Sequence, residues 1–245
     1  DRNRFSHKGD YGHGFLLSGS LGKAGAAVLA SAAAMRSGLG LLTVHIPGIM
    51  YSILQAAVPE AMVHLDDNPH FISGFTIPDK IAALGIGPGL GKDPVTIKAV
   101  EKLLETKLNA PMVWDADALN ILAERKDLLD KLPAGSIITP HPGEFDRLFG
   151  EQDDHYSRFA TAQREAQQRK INIVLKGGIT IICQSNGVSF FNTRGNPGMA
   201  RRKWRCIDRC YPGLTESGIF FRLCIAAWCI HSCICRRSRC RRARL

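Results

Sequence analysis

Short apolar runs alternate with helical stretches along the first 200 residues, and five of the runs end in a cluster of glycine and polar residues. Phe15-Leu16-Leu17 leads into Ser18-Gly19-Ser20, and an Ala-rich helix follows from about Lys23 to Arg36. Gly38 and Gly40 close that helix, and Leu41 to Ile46 reads as a buried strand. Ile81 to Ile86 reads as a strand running into Gly85 to Gly91, with a helix from about Pro94 to Leu104. Met112 to Trp114 ends at Asp115-Ala116-Asp117, and Ser136 to Thr139 ends at His141-Pro142-Gly143-Glu144. Ile171 to Leu175 ends at Lys176-Gly177-Gly178-Ile179-Thr180. Such alternation predicts an α/β fold with a mostly parallel central sheet and helices on both faces. In sheets of this kind ligands bind off the carboxyl ends of the strands, where all five clusters fall.

Each cluster has two readings. Gly85 to Gly91 is a tight turn or a backbone cradle for phosphate. Asp115 and Asp117 cap a helix or contact a substrate or metal-bound water. His141 is a structural histidine between two prolines, or a site residue beside Glu144. Glu144 is a first-turn helix residue or an indirect Mg²⁺ ligand. Lys176 caps carbonyls, or meets a phosphate together with the two glycines that follow it. Two nucleotide motifs are excluded. Gly85 to Gly91 is G-x-G-x-G-x-G, without an acidic residue at dinucleotide spacing. Lys23 is followed by Ala24 rather than Ser or Thr, so Gly19 to Ala24 is no phosphate-binding P-loop.

Taken in order, these residues resemble the NAD(P)H-hydrate dehydratase family. The resemblance runs from His7-Lys8-Gly9-Asp10-Tyr11-Gly12 through Gly19 to Ala27, Arg36 to Leu41, Gly85 to Gly91 and Asp115 to Leu119. It continues through Thr139-Pro140-His141-Pro142-Gly143-Glu144-Phe145 and Lys176 to Thr180, and closes at Gly195 to Ala200. It implies a ribokinase-like three-layer fold and repair of nicotinamide cofactor. The substrate would be the 6-hydroxylated form of NADH or NADPH, dehydrated at the expense of ADP or ATP with Mg²⁺. By resemblance, Ala26, Ala27, Gly89, Asp117 and His141 would line the substrate. Lys176, Gly177, Gly178, Ile179, Thr180 and Asn196 would line the nucleotide, and Glu144 would order Mg²⁺ through water. A homo-oligomer is expected, and in some relatives an epimerase domain for the same substrate is fused upstream. A kinase of the same fold acting on a sugar or vitamin precursor is the alternative.

The last 45 residues differ in kind. Of 32 basic and 22 acidic residues, residues 1–200 hold 20 of each, so the net charge of +10 lies wholly in 201–245. Of eight cysteines, seven lie there too, and only Cys183 precedes them. One cysteine in 200 residues argues for a reducing, cytoplasmic setting. No signal peptide is read at the start, and Asp1 in place of Met suggests a fragment, a processed product or part of a longer protein.

After Met199-Ala200 the family continues Thr-Gly-Gly-Ser-Gly-Asp. The turn's N–H groups would hold the transferred phosphoryl and its Asp would act as base. Here Arg201-Arg202-Lys203-Trp204-Arg205 stands instead, with the expected Asp replaced near Arg205. Arg201 to Arg209 can be written CGG CGG AAG TGG AGA TGC ATT GAC AGG. One nucleotide later this reads Gly-Gly-Ser-Gly-Asp-Ala-Leu-Thr. Trp228 to Cys233 and Ile234 to Ser238 permit Gly-Val-Tyr-Ile-His-Ala and Phe-Ala-Gly-Asp-Leu in the same register.

The tail therefore reads as a frameshift product. It is expected to be poorly packed, with exposed cysteines and no intact catalytic base. Zinc binding is disfavoured because no C-x-x-C occurs and His231 is the one imidazole nearby. The run Arg236 to Arg242 resembles a nucleic-acid patch, but its frameshift origin argues against evolved binding. Gly218 to Cys235 is apolar, yet Arg222 and His231 interrupt it, so no membrane span is expected.

Overall fold

The computed structural model describes residues 5–192 apart from 107 and 109. The expectations for Asn196 and for the tail lie outside those residues.

Nine strands form one sheet: β1 His13–Leu17, β2 Leu41–Ile46, β3 Met62–Leu65, β4 Ala83–Ile86, β5 Met112–Trp114, β6 Ile137–Ile138, β7 Asn172–Leu175, β8 Thr180–Cys183 and β9 Ser189–Asn192. Their order is β3-β2-β1-β4-β5-β6-β7-β8-β9. The first seven strands are parallel, and β8 and β9 extend the sheet as antiparallel neighbours. The helices are α1 Ala24–Arg36, α2 Tyr51–Ala57, α3 Pro94–Glu105, α4 Asp117–Glu124, α5 Lys126–Leu129, α6 Pro142–Phe149 and α7 His155–Arg169.

Strand alternation separates two cores. Phe15, Leu17, Leu84, Ile86, Met112, Trp114, Ile138 and Ile173 face α3 to α7. Leu16, Leu42, Val44, Ile46, Ala83 and Val113 belong to the core of α1 and α2 on the other face. Successive residues of a strand point to opposite faces, so strands covered on both sides become continuous apolar runs. In α1 the residues turned to the sheet are Ala27, Ala30, Ala33 and Ala34, whose small side chains allow close approach. Local signals start the later helices. Asp93 accepts from Val95 N with Pro94 in the first turn, and Asp154 with Ser157 forms a capping box.

The predicted elements agree with these, with small differences. β4 starts at Ala83 rather than Ile81, and β6 is shorter than the predicted Ser136 to Thr139. Pro140 follows and has no N–H to give a ladder. Three strands were not anticipated. β3 sits at the sheet edge with mostly exposed side chains, while β8 begins at Thr180, the last residue of what reads in sequence as a ligand loop. Among the described residues, no helix is long and apolar enough to cross a membrane.

Cys183 is fully buried in the larger core, and burial pushes its thiol up to about 11. Only the thiolate attacks an alkylating agent. Cys183 in the native protein is therefore expected to react with iodoacetamide at pH 8 at least about 100-fold more slowly than in urea. Site-resolved peptide mass spectrometry reads this independently of the other cysteines, and equal rates would contradict the burial.

Candidate active site

The strand order reverses between β1 and β4, because β2 lies to one side of β1 and β4 to the other. That reversal opens a crevice at the carboxyl ends of the two strands. The five strands that carry the polar clusters, β1, β4, β5, β6 and β7, are consecutive neighbours in the sheet. Five loops far apart in sequence are thus brought to one rim.

Hydrogen bonds lock the first two loops. Ser18 Oγ donates to Pro88 O at 2.5 Å, Gly19 N to the same oxygen at 2.9 Å, and Ser20 Oγ to Gly89 O at 2.8 Å. Gly87 is required here. Its φ is +126°, and a Cβ would stand 1.8 Å from Asp115 O. At Gly89, φ +67°, a Cβ would stand 2.8 Å from the Ala26 Cβ and 3.0 Å from Lys23 O. The glycine loop is therefore pressed against the start of α1. Ala26 and Gly89, both expected to line the substrate, meet in this crevice. Ala27 does not join them: it is fully buried in the core beneath α1, turned away by the helical period.

The next three strands end in a buried charged network. Lys176 Nζ lies 2.7 Å from Asp115 Oδ1 and 3.7 Å from Glu144 Oε2. Thr139 Oγ1 donates to Asp115 Oδ1 at 2.8 Å. His141 N donates to Glu144 Oε2 at 2.8 Å, and Glu144 N to His141 Nδ1 at 3.2 Å. This capping box opens α6, so the structural reading of His141 holds. The imidazole is still half exposed at the rim. Burial holds its pKa below the ordinary value; Glu144 opposes this, while the Lys176 and Arg147 cations add to it.

The capping reading of the two aspartates fails. The residue preceding α4 is Ala116, with φ +50° and no side-chain cap. Asp115 turns to Lys176, while Asp117 reaches across the crevice to Lys23 Nζ at 2.7 Å and Gly91 N at 2.9 Å.

The expected nucleotide run divides. Gly177, Gly178 and Ile179 form the connection leaving β7, with Gly178 and Ile179 exposed. Lys176 is buried against its two carboxylates, and Thr180 is buried as the first residue of β8. Among the described residues, no three His, Cys, Asp or Glu side chains are grouped to hold a metal ion. Glu144 is buried with the Lys176 ammonium 3.7 Å from its Oε2, a cation that would repel a metal ion bound directly there, so the arrangement suits Mg²⁺ held through water better than direct coordination.

A second buried cluster braces the rim. Asp66, just after β3, accepts from the N–H groups of Asn68, Ser73 and Gly74, from Ser73 Oγ, and from His45 Nε2. His45 Nδ1 meets His64 Nδ1 at 2.8 Å. The loop so held gives His70 O to Leu21 N, beside the crevice. Burial alone would raise the Asp66 pKa, but hydrogen bonds led by Ser73 outweigh it and hold the carboxyl below its ordinary value. Its stabilisation is therefore present above the unfolded carboxylate range and lost as pH falls through the folded value. Stability measured by urea unfolding is expected to fall with pH below about 4. The Asp66→Asn variant should lose a smaller part of its stability over that interval. An equal loss would remove Asp66 from the account.

A family model described as NAD(P)H-hydrate dehydratase matches residues 15–202. The chain belongs to the NAD(P)H-hydrate dehydratase family. It is 36% identical over 212 residues to a bifunctional NAD(P)H-hydrate repair enzyme of Moorella thermoacetica, covering 81% of this chain and 39% of that enzyme. The chain thus spans about two-fifths of that relative's length. Among solved structures it resembles the ADP/ATP-dependent NAD(P)H-hydrate dehydratase of Bacillus subtilis, co-crystallised with ATP and Mg²⁺. That match has 31% identity and a TM-score of 0.71, covering 94% of this chain and 80% of that one. A ribokinase-like superfamily protein of Enterococcus faecalis gives 26% identity and the same TM-score of 0.71, covering 95% and 81%. The fold of this NAD(P)H-hydrate dehydratase family member is accordingly the ribokinase-like α/β fold.

Proposed function

We propose that this chain carries the dehydratase domain of a nicotinamide-cofactor repair enzyme. Its substrate is NADH or NADPH hydrated at the nicotinamide ring, and its co-substrate is ADP or ATP. The carrying observation is the family match over 15–202, joined to five polar clusters on five adjacent strand ends. The terminal phosphoryl group passes to the C6 hydroxyl. The C6–O bond then breaks with phosphate as leaving group, a proton leaves C5, and the ring double bond is restored. ADP becomes AMP, or ATP becomes ADP. Phosphoryl transfer of this kind needs positioning and charge neutralisation more than covalent catalysis.

Within this proposal Ala26, Gly89 and His141 border the substrate. The Gly177–Gly178 connection, and Asn196 beyond the described residues, border the nucleotide. Glu144 would help to order, through water, a Mg²⁺ ion that neutralises the nucleotide phosphates. An epimerase module for the same substrate, a homo-oligomeric assembly and a cytoplasmic setting belong to the same proposal. The bifunctional repair enzyme among the relatives supports the first.

We further propose that residues 1–200 are an incomplete dehydratase domain and that 201–245 are read out of frame. The family match ends at residue 202, where the charge and cysteine composition changes. As written, the chain lacks the phosphoryl-binding turn and the base, and is expected to be nearly inactive. The test is recovery of 340 nm absorbance from hydrated NADPH with ADP or ATP, for the chain as written and for a frame-restored chain. Conversion by the restored chain supports the proposal. Failure of that chain, with phosphorylation of a sugar or vitamin precursor instead, overturns it.

A further inference from the structure

One oxygen of Asp117 is held as a phosphate oxygen is held. Oδ2 receives Lys23 Nζ at 2.7 Å and Gly91 N at 2.9 Å. Lys23 comes from the loop after β1, Gly91 from the loop after β4, and Asp117 from the start of α4. These two donors therefore belong to the two loops that wall the crevice at the strand-order reversal. An ammonium and a glycine N–H converging on one point form a recurring anion-binding arrangement. Gly89 packs against both Ala26 and Lys23, so the seat borders the position expected for the substrate.

The carboxylate is not fixed there by burial. The side chains of Lys23 and Asp117 are 48% and 19% exposed, so the ammonium is open to solvent. An ion pair so exposed is weak and screened by salt. Among the described residues, the other Asp117 oxygen has a long 3.5 Å contact with Asn120 Nδ2. A phosphate carries more charge than the carboxylate and offers more acceptor oxygens, so it competes well for both donors.

We propose that Lys23 Nζ and the Gly91 N–H form a seat for a phosphate of the dinucleotide substrate, and that Asp117 fills this seat and yields it on binding. Lys23 is thereby a substrate-binding residue, and Asp117 is a competitor for the seat rather than a direct substrate contact. The inference rests on the dinucleotide substrate proposed above.

The two halves of the pair must act with opposite sign. In fluorescence titrations of the full chain with NADPH, Asp117→Asn is expected to tighten binding about three- to tenfold, because it removes the competing charge. Lys23→Met is expected to weaken binding about tenfold and to flatten its salt dependence. Reduced nicotinamide riboside, which has no phosphate, should bind all three proteins alike. Thermal melts check folding, and both side chains are accessible enough to substitute. If both variants shift NADPH affinity the same way, or neither does, the pair is structural and the inference falls. If neither the wild-type chain nor either variant binds NADPH, the dinucleotide reading falls with it. Wild-type binding that ignores both substitutions sinks the seat alone.

Discussion

Replacing the residues after Ala200 by Thr-Gly-Gly-Ser-Gly-Asp and its in-frame continuation should raise the dehydration rate by at least about 10²–10³-fold. The reason is local. A helix-opening glycine turn directs several N–H groups at the phosphoryl group in transfer, and such donors act most strongly where charge develops. The Asp at its end would take the hydroxyl proton, an effect of typically about 10²–10⁴. The chain as written has Arg201-Arg202-Lys203-Trp204-Arg205 there, with neither glycine nor carboxylate. The two contributions act as a unit, so they do not simply multiply. Arg205→Asp alone should therefore recover little, because a base without the turn has no positioned phosphoryl group to serve. Absorbance at 340 nm reads all three proteins. A restored chain no faster than the original would overturn the frameshift account. So would a coding sequence whose codons cannot be shifted into the family motif.

The sequence predicted the parallel part of the sheet well because its strands are covered on both faces. Met112 to Trp114 is a continuous apolar run, Leu41 to Ile46 is one interrupted by the buried Thr43 and His45, and such runs end where polar loops begin. β3 was missed for the opposite reason. Met62-Val63-His64-Leu65 is a short edge strand with mostly exposed side chains, and its stability comes from pairing with β2 rather than from its own pattern.

At the site, the clusters were visible as glycine and polar punctuation, but the partners within them were not. Nothing in the sequence spacing says that Asp115 meets Lys176, 61 positions away, while Asp117, two residues from it, turns to Lys23. The side chains of Asp115 and Asp117 diverge because Ala116 takes a left-handed φ of +50° between them. In the sequence Lys23 reads as the start of the Ala-rich helix and as the lysine of a phosphate loop that Ala24 breaks. The usable signal for it was its place beside the glycine turn after β1. The charged network had a different signal: Lys176 directly follows a run of four residues that form β7, so its side chain starts inside the sheet layer.

Lys176→Met is expected to destabilise the fold by about 3–5 kcal/mol, the usual consequence of stripping one partner from a buried ion pair. Lys176, Asp115 and Glu144 are only 8%, 7% and 6% exposed. Without the ammonium, two carboxylates remain in a poorly solvated layer, with Thr139 Oγ1 on Asp115 and the His141 N–H and imidazole on Glu144 as neighbours. Asp115→Asn in the same chain should restore part of the loss. It removes one stranded charge and keeps an acceptor for Thr139, and coupling of about 0.5–3 kcal/mol is usual for such neighbours. Urea unfolding followed by circular dichroism measures both. A second readout follows the imidazole. The Lys176 cation helps hold His141 below its ordinary pKa, against the pull of Glu144. Removing that cation should move the His141 titration upward in a nuclear magnetic resonance experiment. If Lys176 instead acts mainly as an outward phosphate contact, Lys176→Met should change stability by no more than about 0.5 kcal/mol and leave His141 where it was, while ADP binding falls. A buried tie among three strand ends and an exposed nucleotide contact therefore give opposite results in the same variant.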